Sequence, residues 1–361
     1  MRVREMGNEV ERIQFLTCVK KGDDIYFPTR YGNFYMKLNL ITKRTEYIDF
    51  EVYDKEVSLG IADYIDMEDN VIFQFNLDGR YVLLFDLDSK QIKKIDVDCQ
   101  SKSWGNYLFC TYYEEKLFIF SMYKHTIVII NLKDDQVVYD DKICKYICEN
   151  NLPDLSVACK VNNQIWLFSN DGKKAVSYNL ATHKEEWYEL SLKIKQSRHC
   201  VYRNKKFYIL DNQGNVYVWD KKQEYLLFSV PNAKQEEYGR IVATDKNLIV
   251  LPALGESIYI YDFLKKEIEC NINYPLDFKY STESRLSKYY GFCEDENSFF
   301  FAMRLSNYLL KIKKQDGAIE WINPMIPDLQ ETIDRCKRYS MNTYLEGMLS
   351  LSEYIQEIIL L

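Results

Sequence analysis

The side chains best suited to binding a ligand are basic and aromatic residues that fall in turns between short apolar runs. A guanidinium binds carboxylates or phosphates through paired hydrogen bonds, and a flat ring adds apolar contact area. Composition alone would place about two of the arginines in these turns, whereas five lie there. The predicted binding residues are Arg30, Tyr31, Arg80, Tyr123, His125, Lys173, Arg198, Arg240 and Arg304.

Residues suited to catalysis are scarce, since the chain has only 3 histidines. His199 and Cys200 are adjacent, but neighbouring residues of a strand point to opposite faces and cannot act on one substrate. Cys144 and Cys148 would share one face of a helix, but a zinc site needs four ligands and no second suitably spaced pair exists. We therefore predict no catalytic residue, no metal site and no cofactor.

Carboxylates leave an alternative open. The chain carries 54 Asp and Glu residues, and a central channel could bring together carboxylates that are distant in sequence. Because spacing is uninformative about such pairs, a channel-sited hydrolase or lyase acting on saccharide or peptide stays an alternative function. The sequence favours a protein without enzymatic activity but does not exclude an enzyme.

The elements that must position these residues form a repeat. An apolar run recurs at intervals of 41 to 51 residues, as counted from the sequence. A second marker, an Asx or Lys residue that follows another apolar run, recurs with a similar period. Its seven positions are Asn39, Asp86, Asn131, Asn179, Asp220, Asp262 and Lys311. Two markers with one period are typical of a repeat architecture.

Each repeat divides into four short strands at turn signals. Asn170, Asp171 and Gly172 turn the second strand of one repeat into its third, which is typical hairpin chemistry. Four strands in each of seven repeats predict an all-β, seven-bladed β-propeller of four-stranded antiparallel blades over residues 1–323. Its predicted blades span residues 12–50, 62–98, 106–140, 155–190, 197–230, 238–271 and 287–322.

Two segments carry a family resemblance. SYNLATHKEEWYEL, with Tyr178, Asn179 and Trp187, resembles the third-to-fourth-strand segment of kelch repeats. KKQDGAIEWI, with Gly317 and Trp321, is similar to the quinoprotein-like (PQQ-like) repeat. The kelch double glycine is absent, so the resemblance implies a propeller and no specific family. It carries no catalytic residue and no quinone cofactor to this chain.

Residues 324–361 change period. Apolar residues at three-and-four spacing, among them Leu345, Met348 and Leu351, predict an amphipathic helical tail. We expect the tail to pack on or beside the propeller. The alternative is an assembly role, in which the tail contacts a partner or a second copy in a homodimer.

Composition limits the partners. The net charge of -7 argues against general nucleic-acid binding. No stretch is long and apolar enough to predict a membrane span, and the N-terminal residues lack the apolar core of a signal peptide. Ten cysteines scattered along the chain are typical of free, buried thiols in a reducing cytoplasm.

The leading functional prediction follows from these observations. A cytoplasmic propeller without a catalytic constellation, with arginines and aromatic residues in its loops, is expected to be a recognition scaffold. Loops joining second to third strands, and those leading into each first strand, meet at one mouth of a propeller's channel. We predict that a protein or peptide partner, or an anionic small ligand, binds at that mouth.

Overall fold

A computed structural model gives the arrangement of most of the chain. The predicted helical tail beyond Met325 lies outside the residues that it describes, as do four of the predicted binding residues. The described residues are 17–28, 34–49, 62–76, 80–97, 107–122, 125–235, 237–255, 257–271, 274–275, 289–303 and 308–325.

Seven four-stranded antiparallel sheets make up the protein, and each uses four consecutive strands in chain order. This arrangement confirms the predicted seven-bladed propeller. Blade one comprises β1 (Val19–Lys21), β2 (Asp24–Pro28), β3 (Phe34–Asn39) and β4 (Thr45–Asp49). Blade two comprises β5 (Ala62–Glu68), β6 (Val71–Asn76), β7 (Tyr81–Asp86) and β8 (Ile92–Asp96). Blade three comprises β9 (Tyr107–Tyr113), β10 (Lys116–Ser121), β11 (Ile127–Asn131) and β12 (Val137–Asp140).

The remaining four blades repeat this order. Blade four comprises β13 (Leu155–Val161), β14 (Gln164–Ser169), β15 (Lys174–Asn179) and β16 (Glu185–Glu189). Blade five comprises β17 (Ser197–Arg203), β18 (Lys206–Asp211), β19 (Asn215–Trp219) and β20 (Glu224–Ser229). Blade six comprises β21 (Tyr238–Ala243), β22 (Asn247–Pro252), β23 (Ile258–Asp262) and β24 (Glu267–Asn271). Blade seven comprises β25 (Tyr289–Glu294), β26 (Ser298–Met303), β27 (Leu309–Lys313) and β28 (Ile319–Ile322).

The second sequence marker is the turn between the third and fourth strands. The Asn39 side-chain oxygen accepts the Thr42 backbone N–H at 2.9 Å, and Asp86 accepts that of Ser89 at 3.0 Å. These are Asx turns, in which the side chain satisfies the turn backbone. In blade seven the equivalent residue is Lys313, which accepts the Gly317 N–H at 3.0 Å. The predicted marker Lys311 is therefore wrong by two residues.

The apolar core lies between blades rather than at one centre. Each of seven buried clusters combines residues of two adjacent blades. Blade one and blade seven share one such cluster, in which Phe27 and Met36 pack with Phe300 and Leu309. The first strands of neighbouring blades also contact one another, so we call them inner strands.

Ring closure uses no exchanged strand among the described residues, because blades one and seven are each built from one continuous segment. Met325, just beyond β28, instead forms a parallel bridge with Arg44 beside the outer strand of blade one. The Met325 N–H donates to the Lys43 carbonyl at 2.7 Å, and its carbonyl accepts from Thr45 N–H at 3.1 Å. This β-bridge and side-chain packing join blade seven to blade one.

A short helix, α1 (Lys142–Glu149), lies between blades three and four. The repeat pattern does not predict it, because a helix of 8 residues, about two turns, shows little periodicity. Ile143 and Ile147 bury one side of it. Cys144 and Cys148 lie four residues apart on it and share a hydrogen bond.

None of the eight cysteines in the described ranges forms a disulfide, in agreement with the predicted thiols. Cys18, Cys110, Cys200 and Cys293 are buried. The prediction that all are buried is wrong, since Cys148 and Cys270 are exposed: the first lies on the open side of α1, and the second is on an outer strand.

Candidate functional site

One end of the ring collects the segments from which we predicted binding. At this end, which we call the mouth face, the loops from second to third strands meet the residues leading into each inner strand. Backbone hydrogen bonds connect the two kinds of segment. Asn170 N–H donates to the Asp154 carbonyl at 2.8 Å, and Ser197 N–H donates to the Asn170 carbonyl at 3.0 Å. Such bonds hold the mouth-face loops in fixed relative positions.

Five of the nine predicted binding residues are described, and all five lie on the mouth face. They are Arg80, His125, Lys173, Arg198 and Arg240. The other four predicted residues lie outside the described part of the chain. They are Arg30, Tyr31, Tyr123 and Arg304.

Arg198 and Arg240 begin the inner strands of adjacent blades, and both are half-buried. The register of β17 shifts between Ser197 and His199, which makes Arg198 the extra residue of a bulge. In β21 the shift lies between Tyr238 and Arg240, so the extra residue there is Gly239, and Arg240 pairs with Leu251 of β22. A bulge bends the strand and redirects a side chain. The bulge therefore redirects Arg198 in blade five, whereas Arg240 of blade six occupies the paired position that His199 occupies in β17.

His199 lies beside these arginines and is held as a neutral ring. Burial, together with the Arg240 guanidinium, lowers the pKa of His199 to about 3. The Ile241 N–H donates to its Nδ1 atom at 3.5 Å, so Nδ1 is the acceptor. Cys200 faces the other way and contacts Cys159 of blade four. The sequence-based exclusion of a His199/Cys200 catalytic pair is thus explained by the geometry.

His125 supports the mouth-face loops from inside. Its side chain is only 7% exposed, and its Nε2 atom lies 3.0 Å from the Asp154 carboxylate. The backbone adopts a φ of 49°, the left-handed region. Its ring lies beside a small cavity lined by Phe120, Ile143 and other apolar residues. The ring therefore connects blade three to blade four and is poorly placed to contact a ligand.

Lys173 and Arg80 are the exposed members of the set. Lys173 Nζ lies 3.3 Å from the Asp171 carboxylate, within the turn predicted from Asn170, Asp171 and Gly172. The Ser169 hydroxyl accepts the Lys173 N–H at 3.1 Å, which fixes this turn. Arg80 is held through its carbonyl, which accepts the Val97 N–H at 2.7 Å.

The inner wall of the ring contains a second group of polar side chains that sequence reasoning missed. Lys160 Nζ donates to the Thr111 hydroxyl at 2.8 Å, and the Asp66 carboxylate accepts the Tyr112 N–H at 2.8 Å. Burial raises the pKa of Asp66 and lowers the pKa of Lys160. The Lys160 and Asp66 side chains each bond to the inner strand of a neighbouring blade, so both stabilise the ring. Spacing along the chain carries no signal for this cluster, because three blades supply it.

A groove of about 560 Å³ between blades three and four was also missed. It is lined by the outer strand β12, by α1 and by the His183 turn. Val138 and Tyr139 of β12 are about half exposed beside it. Lysines and aspartates lie along its rim and pair with one another, as Lys142 does with Asp140 at 3.3 Å. The sequence signal for this groove is the run Val137, Val138 and Tyr139, which makes outer strand β12 mostly apolar.

Metal-binding clusters and membrane-spanning helices are both absent from the described ranges. These ranges contain no cluster of three or more His, Cys, Asp or Glu side chains that could hold a metal ion. Within the same residues, no helix has the length and apolar content needed to cross a membrane.

Comparisons with known proteins agree with the fold. No protein-family model matches the sequence, and no curated protein sequence matches it. The structure resembles virginiamycin B lyase from Staphylococcus aureus in complex with quinupristin, with a TM-score of 0.59 and 11% identity. That match covers 82% of this chain and 93% of the lyase. BamB from Moraxella catarrhalis matches with a TM-score of 0.52 and 10% identity, over 83% of this chain and 84% of BamB.

A third similar structure is PorZ, a bacterial surface component of the type-IX secretion system of Porphyromonas gingivalis. It matches with a TM-score of 0.57 and 9% identity, over 88% of this chain. The chain spans 39% of the length of PorZ. BamB and the lyase are PQQ-like or WD-like propellers, which supports the predicted PQQ-like resemblance at the level of architecture, whereas the kelch-like resemblance stays a prediction. At these identities the likeness concerns the fold alone.

Proposed function

We propose that this protein is a non-catalytic recognition propeller whose mouth face binds an acidic segment of a partner protein or peptide. The observation that carries the proposal is the placement of Arg198 and Arg240 at the starts of adjacent inner strands, with exposed Arg80 and Lys173 on the same face. Guanidinium groups bind carboxylates through paired hydrogen bonds and are enriched at binding hot spots.

Two further points support a partner over a substrate. The neutral His199 beside Arg240 is committed to a backbone N–H of blade six, and His125 is committed to Asp154. Among the comparison proteins, PorZ is a component of a secretion system, which is a role in an assembly. We propose a protein partner for this chain by analogy of fold.

A direct binding measurement tests the proposal. The probe is a fluorescein-labelled peptide of eight aspartates, and a matched peptide of eight serines measures non-specific binding. We expect the aspartate peptide to raise fluorescence anisotropy with the intact chain. The double change Arg198→Ala and Arg240→Ala should weaken its binding about tenfold or more, since each lost charged contact contributes roughly 1 kcal/mol or more.

A matched control lies on the same strand. Arg203 is at the opposite end of β17 from Arg198 and pairs with Asp245. Arg203→Ala removes one positive charge far from the mouth face and should leave binding unchanged. Equal binding by the wild-type chain and the double variant would exclude the mouth face. Equal weakening by Arg203→Ala would show that only net charge matters.

We also propose that the protein works in the cytoplasm. None of the eight described cysteines forms a disulfide, which is typical of a reducing compartment. Fractionation of cells that express the full chain, followed by immunoblotting, checks this. Recovery with the cytosolic marker supports the location, and recovery with an exported or membrane marker contradicts it.

A further inference from the structure

Two buried cysteines face each other where the ring closes. Cys18 directly precedes β1 in blade one, and Cys293 lies on β25 in blade seven. Their sulfur atoms are 3.4 Å apart although the residues are 275 positions apart in the chain. Cys18 is 1% exposed and Cys293 is 8% exposed. We call this junction of blades seven and one the seam.

The same position recurs at another junction. The last inner-strand residue paired across the first hairpin is Asp295 in blade seven and Val161 in blade four. Cys293 and Cys159 each lie two residues before it. In the next blade along the ring, the corresponding last paired residue is Lys21 in blade one and Arg203 in blade five. Cys18 and Cys200 each lie three residues before it. Cys159 and Cys200 also share a hydrogen bond.

At two other junctions the equivalent pairs are apolar. They are Val19 with Ile65 and Val201 with Ile241. Aliphatic side chains therefore fill this position at those junctions, and the packing of the propeller does not require thiols there. The two cysteine pairs add a chemical possibility that the aliphatic pairs lack.

We propose that Cys18 and Cys293 are an oxidation site, at which a small peroxide forms a disulfide that closes the ring covalently. The sulfur of Cys293, the less deeply buried residue of the two, attacks hydrogen peroxide. Its S–O bond forms, the O–O bond breaks, and the products are a sulfenic acid and water. The Cys18 sulfur then attacks the Cys293 sulfur, the S–O bond breaks, and a second water leaves with the Cys18 proton. Two thiols and one peroxide yield one disulfide and two waters.

Geometry favours this product over further oxidation. A disulfide bond is about 2.05 Å long, so the two sulfur atoms need to approach by only about 1.4 Å. The resolving thiol already contacts the attacked one, which is how a sulfenic acid is trapped before it oxidises further. Burial raises the pKa of the Cys293 thiol. The reaction should therefore be faster at higher pH, where more thiolate is present.

The seam is otherwise held by non-covalent contacts. Lys20 Nζ lies 2.9 Å from the Asp295 carboxylate, and Met325 bridges to the Arg44 segment. A disulfide there would restrict a very long loop of the unfolded chain, and stabilisation grows with the length of the loop. For a chain of this size we expect the midpoint of thermal unfolding to rise by about 5 °C.

Peptide mapping of the full chain tests the proposal. Dilute protein is treated with hydrogen peroxide at pH 7 and pH 9, quenched with catalase, blocked with N-ethylmaleimide and digested without reduction. Mass spectrometry should detect a linked peptide pair that contains Cys18 and Cys293, with faster formation at pH 9. The midpoint of thermal unfolding should rise, and dithiothreitol should reverse both changes.

Variants identify the bond that matters. Cys18→Ala should abolish the linked peptide and the thermal shift, whereas Cys270→Ser, at an exposed cysteine, should preserve both. The proposal is overturned if wild-type Cys18 stays alkylatable after unfolding while Cys293 is consumed as sulfinic or sulfonic acid. It is also overturned if only Cys159 and Cys200 become linked. Mapping of the wild-type chain decides the matter even if Cys18→Ala does not fold.

Discussion

Tyr35 of blade one donates its phenolic hydrogen to the side-chain oxygen of Gln74 in blade two, at a distance of 2.5 Å. Both side chains are fully buried, and burial holds the pKa of Tyr35 well above its usual value. The bond ties the third strand of one blade to the second strand of the next. It is a polar contact inside an otherwise apolar junction, where an unsatisfied partner is costly.

Removing one partner of this bond should therefore destabilise the protein more than removing both. Tyr35→Phe should lower the free energy of unfolding by about 1–3 kcal/mol, because the Gln74 oxygen stays buried without its donor. Urea titration of the wild-type chain, both single variants and the double variant with Gln74→Leu measures the coupling. Additive losses in the double variant would show that the bond contributes nothing specific.

The ion pair at the seam should contribute more than an exposed pair of the same type. Lys20 and Asp295 have side chains that are 10% and 30% exposed, whereas Lys93 and Asp135 are 50% and 44% exposed. Lys20→Met should lower the free energy of unfolding by about 1–3 kcal/mol, and Lys93→Met by less than about 0.5 kcal/mol. Equal effects in chemical denaturation would contradict a special role for the seam pair.

The loss of unfolding free energy caused by Lys20→Met should depend on pH. Burial acts to raise the pKa of Asp295, but Lys20 and two backbone N–H groups outweigh it, so the net shift is downward. A carboxylate with a lowered pKa stabilises the folded state above its unfolded pKa of about 3.9 and loses that contribution as the pH falls further. The gap between Lys20→Met and wild type should narrow below about pH 4.

Gly172 should tolerate no side chain, unlike Gly22. Both have a positive φ, of 68° and 56°. A methyl group on Gly172 would lie 2.6 Å from Ile194 Cδ1 and 2.7 Å from Ile194 Cβ, whereas nothing lies within 4 Å of one on Gly22. Gly22→Ala should cost about 1 kcal/mol for the backbone alone, and Gly172→Ala about 1–3 kcal/mol more. Matching denaturation midpoints would contradict the crowding at Ile194.

His199 should make the protein less stable as the pH falls. Its folded pKa of about 3 lies below the usual value of about 6.5, so between these values the unfolded chain binds a proton that the folded chain does not. The free energy of unfolding therefore rises with pH in this window, by up to about 1.4 kcal/mol per pH unit. His199→Asn should reduce that slope between pH 4 and 6, and an unchanged slope would show that the ring is protonated in the folded state.

The architecture could be predicted because each blade repeats the same apolar runs and turn residues along the sequence. Asn39 and Asp86 are markers in sequence and Asx turns in the structure, and Gly172 adopts the positive φ that its Asn-Asp-Gly turn requires. The blade-seven marker was placed two residues early because Lys313 closes that turn with its backbone alone and has no side-chain oxygen to reveal it. The helix α1 was missed because eight residues show too little periodicity.

The sequence by itself determined the strands, the turns and the end of the ring at which Arg198 and Arg240 lie, because all three follow from local order within a repeat. It also placed His199 and Cys200 on opposite faces, since alternation is a property of any strand. Only the tertiary structure decided which side chains meet between blades. Cys18 and Cys293, or Asp66 and Lys160, come together through closure and curvature of the ring. No spacing along the chain encodes that distance, because each partner belongs to a separately folded sheet.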